Sequence, residues 1–200
     1  MGPHVICYPS WNLRSGGEKP LAANGTLGMA LFLLAEIMFF SGLLSAYWVL
    51  RSGFDVWPPP SQPRLPWETT AVSTFLLLLS GGCLFAARRF AVGGQWRSMK
   101  RAMAACLALG SSFLLIQGYE WARLLGFGLR AGSGVYGGTF YLLIGCHALH
   151  VAAGLVYLFL VARRLGTKDA MGPRDRLTPA LMYWTFVVAL WPLLYGLVYF

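Results

Sequence analysis

Four side chains in this sequence could do acid–base or ligand chemistry where such chemistry is expensive. Glu36 sits in the middle of an uncharged run from Leu27 to Leu50. That run is about 24 residues, long enough to cross a bilayer. A carboxylate at that depth costs roughly 2.5–3.5 kcal/mol on insertion scales, so it faces protein or water and marks either an ion or proton path or a protonated acid bonded to a neighbouring helix. Glu120 is a second intramembrane acid. His147 and His150 are three residues apart, about 60° around a helix, and share one side of it. Their spacing suits a metal or a haem, but such a site needs further ligands converging at the same depth, and the only other histidine is His4 in the amino-terminal tail. Neutral histidines bonding across helices are therefore the stronger reading.

These groups must be held by elements that the composition makes plain. Hydrophobic residues make up 57% of the 200 and charged residues 12%, far from the quarter that is charged in soluble domains. The fold class is all-α: an integral membrane bundle of five helices, over Leu27 to Leu50, Thr69 to Ala87, Ala102 to Phe127, Tyr136 to Ala162 and Leu177 to Phe200. Alternating ten-residue strands are absent, which argues against a barrel. Residues 1–26 read as a polar cytoplasmic tail without a signal core, and residues 27–200 as the membrane domain. Twelve of the sixteen Lys and Arg residues, including Arg88, Arg89, Arg97, Lys100, Arg101, Arg163, Arg164 and Arg176, fall on the side of the amino terminus. The positive-inside bias makes that side cytoplasmic and the carboxy terminus periplasmic. The net charge of +9 is then met by anionic lipid head groups and requires no nucleic acid.

Geometry refines the first span. Met29, Phe32, Phe40, Leu43 and Tyr47 lie within about 40° of Glu36, while Gly28, Ala35, Gly42 and Ala46 form a seam of small residues roughly 80–120° to one side. Such a seam predicts a close-packed partner helix, in this chain or in another subunit. Counting depth at 1.5 Å per residue leaves about 7 Å between Glu120 and His147, and as much between Glu36 and His150. Side chains can bridge either offset, giving a carboxylate–histidine network that could serve as a proton relay, a lipid head-group site or polar glue. Cys83, Cys106 and Cys146 stand singly within spans and Cys7 in the tail, without paired spacing, and read as small buried hydrophobes. The loop with Trp57, Pro58, Pro59, Pro60, Pro63 and Pro66 is extended.

Five motifs then occur in order: GMALFLLAEIMFFSGLLSAYW from Gly28, WPP from Trp57, STFLLLLSG from Ser73, QGYEW from Gln117 and GVYGGTFYLLIGCHALHVAAG from Gly134. Together they resemble subunit III of the haem–copper respiratory oxidases, in its short five-helix bacterial form, over nearly the whole chain from Leu27. The resemblance implies a noncatalytic subunit that stabilises catalytic subunit I and supports proton uptake. It implies bound phospholipid, no cofactor in this chain, haem and copper in the partner subunits, and neighbours that include subunits II and IV or a respiratory supercomplex. The location implied is the bacterial inner membrane. By position Glu36 matches the family's buried carboxylate, His147 and His150 its paired histidines, and Glu120 the acid of its QxxE segment. The last span departs from the pattern: Thr185 and Val188 stand where the family often has His and Asp, and Pro192 should kink the helix. That departure points to a divergent branch or to the related accessory subunit of nitric oxide reductase. A small proton-coupled transporter or quinone-binding protein is the competing class, weakened by the lack of an evident internal repeat.

Overall fold

A bilayer offers no water to backbone N–H and C=O groups, so apolar stretches of this length must satisfy them internally as helices. The computed structural model describes residues 23–57, 59, 67–165 and 173–199. It contains α1 (Ala23–Ser52), α2 (Trp67–Val92), α3 (Trp96–Gly126), α4 (Val135–Arg164) and α5 (Pro173–Tyr199). All five are long and apolar enough to cross a membrane, and no strand occurs among the described residues. The helices run past the apolar segments read from sequence. Arg88 and Arg89, Arg97 to Arg101, and Arg163 and Arg164 all continue as helix, because long basic side chains reach the polar interface from a helical backbone. α1 begins at Ala23, four residues before the expected start, and the rest of the tail, with His4 and Cys7, lies outside the described residues. So does most of the proline-rich loop.

α2, α3, α4 and α5 close a ring in which each packs on two neighbours, and α1 lies outside it against α4 and α5. Two turns set this path. After α2, the Gln95 N–H donates to the Phe90 carbonyl and the Gly94 N–H to Ala91, with Gly94 at φ 70°. This is a Schellman ending, whose left-handed position a glycine fills without strain. The same pattern ends α3: the Leu129 N–H donates to Leu124, the Gly128 N–H to Leu125, and Gly128 has φ 88°. Leu124 and Leu129 are both buried, which gives the motif its apolar clasp.

The ring is locked through the buried face of α2, which is rich in hydroxyls. Ser73 and Thr74 donate to the Thr70 carbonyl and Ser80 to Leu77, so each hydroxyl hydrogen is spent on its own helix. What remains is an acceptor, and each receives a donor from another helix: Gln117 Nε2 on Ser73 at 2.9 Å, Trp191 Nε1 on Thr74 at 2.7 Å and Trp184 Nε1 on Ser80 at 3.1 Å. Trp184 and Trp191 are two helical turns apart on α5, so they descend the same stripe. Glycines make room for Trp184. A Cβ on Gly110 of α3 or Gly154 of α4 would come within 2.9 Å of its ring. One side chain thus touches all four ring helices.

Candidate functional site

α1 packs parallel to α5. Phe32 meets Tyr183 and Phe40 meets Phe186, while the Tyr47 hydroxyl (2.9 Å) and Arg51 Nη1 (3.2 Å) both donate to the Leu197 carbonyl. This register carries Glu36 to α4, where its Oε2 lies 2.8 Å from His150 Nε2. The other imidazole nitrogen, Nδ1, is 2.7 Å from the Cys146 carbonyl one turn back. A carbonyl can only accept, so Nδ1 carries a hydrogen. The Nε2–Oε2 contact then holds one proton, placed on either atom. Carboxylic acid with neutral imidazole and carboxylate with imidazolium are both neutral overall, which removes most of the cost of holding an acid among apolar helices. Tyr183 ties the pair to α5 by donating its hydroxyl to the His150 carbonyl at 3.0 Å, and Phe39 and Phe40 flank the imidazole. The two side chains are 17% and 16% exposed, so the pair opens onto the outer surface of the bundle beside α1.

The two histidines part company. His150 faces α1, whereas His147 is fully buried inside the ring, stacked on Trp191 at 4.9 Å and edge-on to Phe113 at 6.3 Å. Neither of its ring nitrogens has a hydrogen-bond partner among the described residues. Glu120 does not reach it. That carboxylate, 3% exposed, takes Arg123 Nη1 at 3.2 and 3.4 Å on its own helix. The four residues expected to form a network therefore divide into a Glu36–His150 pair, a Glu120–Arg123 pair and a lone His147. The 7 Å depth offset was closed at one site, where α1 packs on α4, and at the other an adjacent arginine offered Glu120 a nearer partner.

The small-residue seam meets no helix among the described residues. Gly28, Ala35, Gly42 and Ala46 are all exposed, and a Cβ on Gly28 or Gly42 would meet nothing within 4 Å. The Glu36 side of α1 faces inward instead, with Phe40 and Tyr47 buried and Met29 and Leu43 packed on the core. Of the two atypical positions in α5, Thr185 faces outward and Val188 packs at the level of Gly81 of α2. α5 is helical through Pro192 as well as Pro179. Sequence reasoning missed Tyr183, the Cys146 carbonyl and the Trp–hydroxyl contacts. The signal for the last was available in Thr70, Ser73, Thr74 and Ser80, spaced along one face of an apolar helix.

Among the described residues no three His, Cys, Asp or Glu side chains gather closely enough to hold a metal ion. Five helices long and apolar enough to cross a membrane, with a Glu36–His150 hydrogen bond between two of them, define a multi-pass helical membrane protein. The chain belongs to the cytochrome c oxidase subunit III family, whose pattern matches residues 15–200. It is 33% identical over 180 residues to a probable cytochrome c oxidase subunit 3 of Mycobacterium leprae, covering 88% of this chain and 87% of the relative. It is also 33% identical over 193 residues to cytochrome c oxidase subunit 3 of Pylaiella littoralis (92% and 70%), and 31% identical over 199 residues to the probable protein of Rickettsia bellii (90% and 70%). The protein is accordingly a noncatalytic subunit of a haem–copper oxidase, and it associates with the catalytic oxidase subunits.

Proposed function

We propose that the chain stabilises catalytic subunit I, beside subunits II and IV, and supports proton uptake there from the Glu36–His150 pair. The carrying observation is the 2.8 Å contact between Glu36 Oε2 and His150 Nε2, with Nδ1 held by the Cys146 carbonyl and both side chains partly exposed, an arrangement that supports a shared, exchangeable proton. When the pair lends that proton it is left with one negative charge, a state less costly at a partly exposed bundle surface than inside the ring, until a second proton restores neutrality. α1 also presents Gly28, Ala35, Gly42 and Ala46 outward, a face suited to a close-packed helix of another subunit. The haem and copper reside in the partner chains, and phospholipid fills the remaining apolar surface of α1.

The proposed setting is a bacterial inner membrane and, within it, a respiratory supercomplex, with residues 1–26 in the cytoplasm. The charge distribution supports this sidedness. Arg88, Arg89, Arg97, Lys100, Arg101, Arg163, Arg164 and Arg176 gather at one end of the bundle, and only Arg51, Arg123 and Arg130 are described at the other. The test is Glu36→Gln in the assembled oxidase. The amide keeps a hydrogen bond to His150 but cannot give up a proton. Initial oxygen reduction should stay near wild type, while its decline during turnover or its pH profile changes. Immediate loss of all activity with the complex intact would refute the supporting role, and an unchanged decline and pH profile would refute the proton role.

A further inference from the structure

His147 has no role in the pair just described, yet it is the most completely enclosed polar side chain of α4, at 0% exposure and with both ring nitrogens unpartnered. A second unpartnered group faces the same interior. Gln117 is 2% exposed, and its Oε1 has no partner. The orientation of that amide is fixed by chemistry. Ser73 spends its hydroxyl hydrogen on the Thr70 carbonyl, so toward Gln117 it can only accept, and the group on it must be Nε2. Oε1 therefore points away from Ser73 and needs a donor.

The two residues lie at one level. Along the antiparallel α3 and α4, Trp121 packs on Tyr141 and close to Gly145, and Gly110 faces Leu155. This register sets Gln117 opposite His147. The same level is marked from a third side, because Trp191 stacks on His147, meets Phe113 at 4.9 Å and donates to Thr74, the neighbour of Ser73. A neutral imidazole offers one N–H donor and one lone pair, and Gln117 Oε1 offers lone pairs only. Dry burial of all three atoms is unfavourable, and buried polar groups of this kind are ordinarily completed by protein or by water.

We propose that His147 and Gln117 are joined by a buried water molecule, which donates to Gln117 Oε1 and bonds one ring nitrogen of His147. The site would link α2, α3 and α4 through Ser73, Gln117 and His147 in succession, with Trp191 of α5 as its wall. It is a structural hydration site inside the ring, separate from the Glu36–His150 pair on its surface.

The test uses the intact oxidase complex in lipid nanodiscs. A density map near 2 Å should show an ordered peak about 2.7–3.2 Å from both Gln117 Oε1 and one His147 nitrogen. Absence of that peak overturns the proposal. Thermal unfolding supplies an independent reading through its sign. If water completes the site, His147→Phe strands Gln117 Oε1 and lowers the melting temperature; if the site is dry, the same change removes an unpaired imidazole and raises it or leaves it unchanged. Gln117→Met should also lower it, and the double variant should fall by less than the two single losses combined, since both lose the same water. Strict additivity counts against the bridge. Should His147→Phe fail to assemble, the map of Gln117→Met decides: a peak that persists unchanged overturns the bridge, and its loss supports it.

Discussion

Gly154→Ala tests whether the Trp184 and Tyr183 rings of α5 completely fill the space against α4. The added methyl carbon would lie 2.9 Å from Trp184 Cζ3 and 2.9 Å from Tyr183 Cε1, against an optimal carbon–carbon separation of about 3.5–4.0 Å. Neither ring can yield freely. Trp184 is fully buried, held at Ser80 by its Nε1 and bounded on the far side by Gly110, where an added Cβ would also come within 2.9 Å. Overpacking of a filled core costs about 1–3 kcal/mol, and exchanging a helical Gly for Ala returns about 0.5–1 kcal/mol. The net expectation is a loss of roughly 1–2 kcal/mol, or a factor of 5–30 in the folded population. For a chain of this size that corresponds to a melting temperature lower by about 2–8 °C. The assay is thermal unfolding of the detergent-solubilised complex, followed by tryptophan fluorescence. Trp184→Phe, which removes the benzo-ring atoms that clash, should make the double variant less damaged than the two single losses added together. Gly82→Ala, a helical glycine outside the α1 seam with nothing within 4 Å of its Cβ, is the matched control and should cost the chain nothing. A Gly154→Ala protein as stable as wild type would show that the rings have room to move, and the reasoning would fail.

Three further outcomes follow from the same contacts. Glu36→Leu strands His150 Nε2, and a double-mutant cycle with His150→Phe in thermal unfolding should give a coupling of about 0.6–1.7 kcal/mol, the range for polar contacts between membrane helices; a coupling of zero would mean the 2.8 Å contact contributes nothing to the fold. Ser80→Ala and Thr74→Val leave Trp184 or Trp191 Nε1 buried without an acceptor, at about 1–3 kcal/mol each, measurable as lower melting temperatures; stability at wild-type level would remove the hydroxyl stripe from the account. Gly42→Leu should leave the chain's own unfolding unchanged but reduce the amount of chain retained by the catalytic subunits on a native gel, and undiminished retention would mean the seam faces lipid only.

How much of this could be read from sequence depended on whether a property belongs to one helix or to two. Five spans followed from apolar length alone, because a bilayer imposes helix on every such stretch. The Glu36 side of α1 was legible only in part. An acid at that depth must face protein or water, and Phe40 and Tyr47 on its side are buried. Phe32 of the same set is exposed, and the small-residue seam predicts the packed partner along itself instead. The direction of the seam was not legible. Gly28 and Gly42 look alike whether they face α5, lipid or another protein, since small residues record only that something approaches closely. Pairing of the acids was equally open, because depth constrained Glu36 with His150 and Glu120 with His147 to the same degree. Tertiary neighbours broke that tie, with α1 brought to α4 by its packing on α5, and with Arg123 in reach of Glu120 on the same helix. The role of the α2 hydroxyls was hidden for a similar reason. A serine that bonds its own helix looks idle until a donor on another helix takes its free lone pair.

The distribution of polar groups inside the ring also bears on why a carboxylate-bearing membrane bundle should act as an accessory rather than as a conduit. Thr70, Ser73, Thr74, Ser80, Gln117, Glu120, Thr139 and His147 are buried among the described residues, and all but Ser80, at the middle of α2, occupy the half of the bundle toward Arg123. Toward the end that carries Arg88, Arg97 and Arg164 the interior continues with Leu84, Ala87, Met99, Met103, Cys106, Val151 and Leu158, every one of them buried and apolar. Past Ser80 and the Trp184 Nε1 bonded to it, a proton or ion crossing the ring would meet about two turns of α2 without a buried hydrogen-bonding side chain among the described residues, and unpaired charge in such surroundings is costly in a membrane interior. The polar half is therefore spent on locking helices together. The Glu36–His150 pair, to which the proposed function assigns proton exchange, stands outside the ring between α1 and α4. The interior hydroxyl and tryptophan contacts and the Glu36–His150 pair are thus separated in space, and on the proposed reading the first serve as scaffold and the second as proton chemistry.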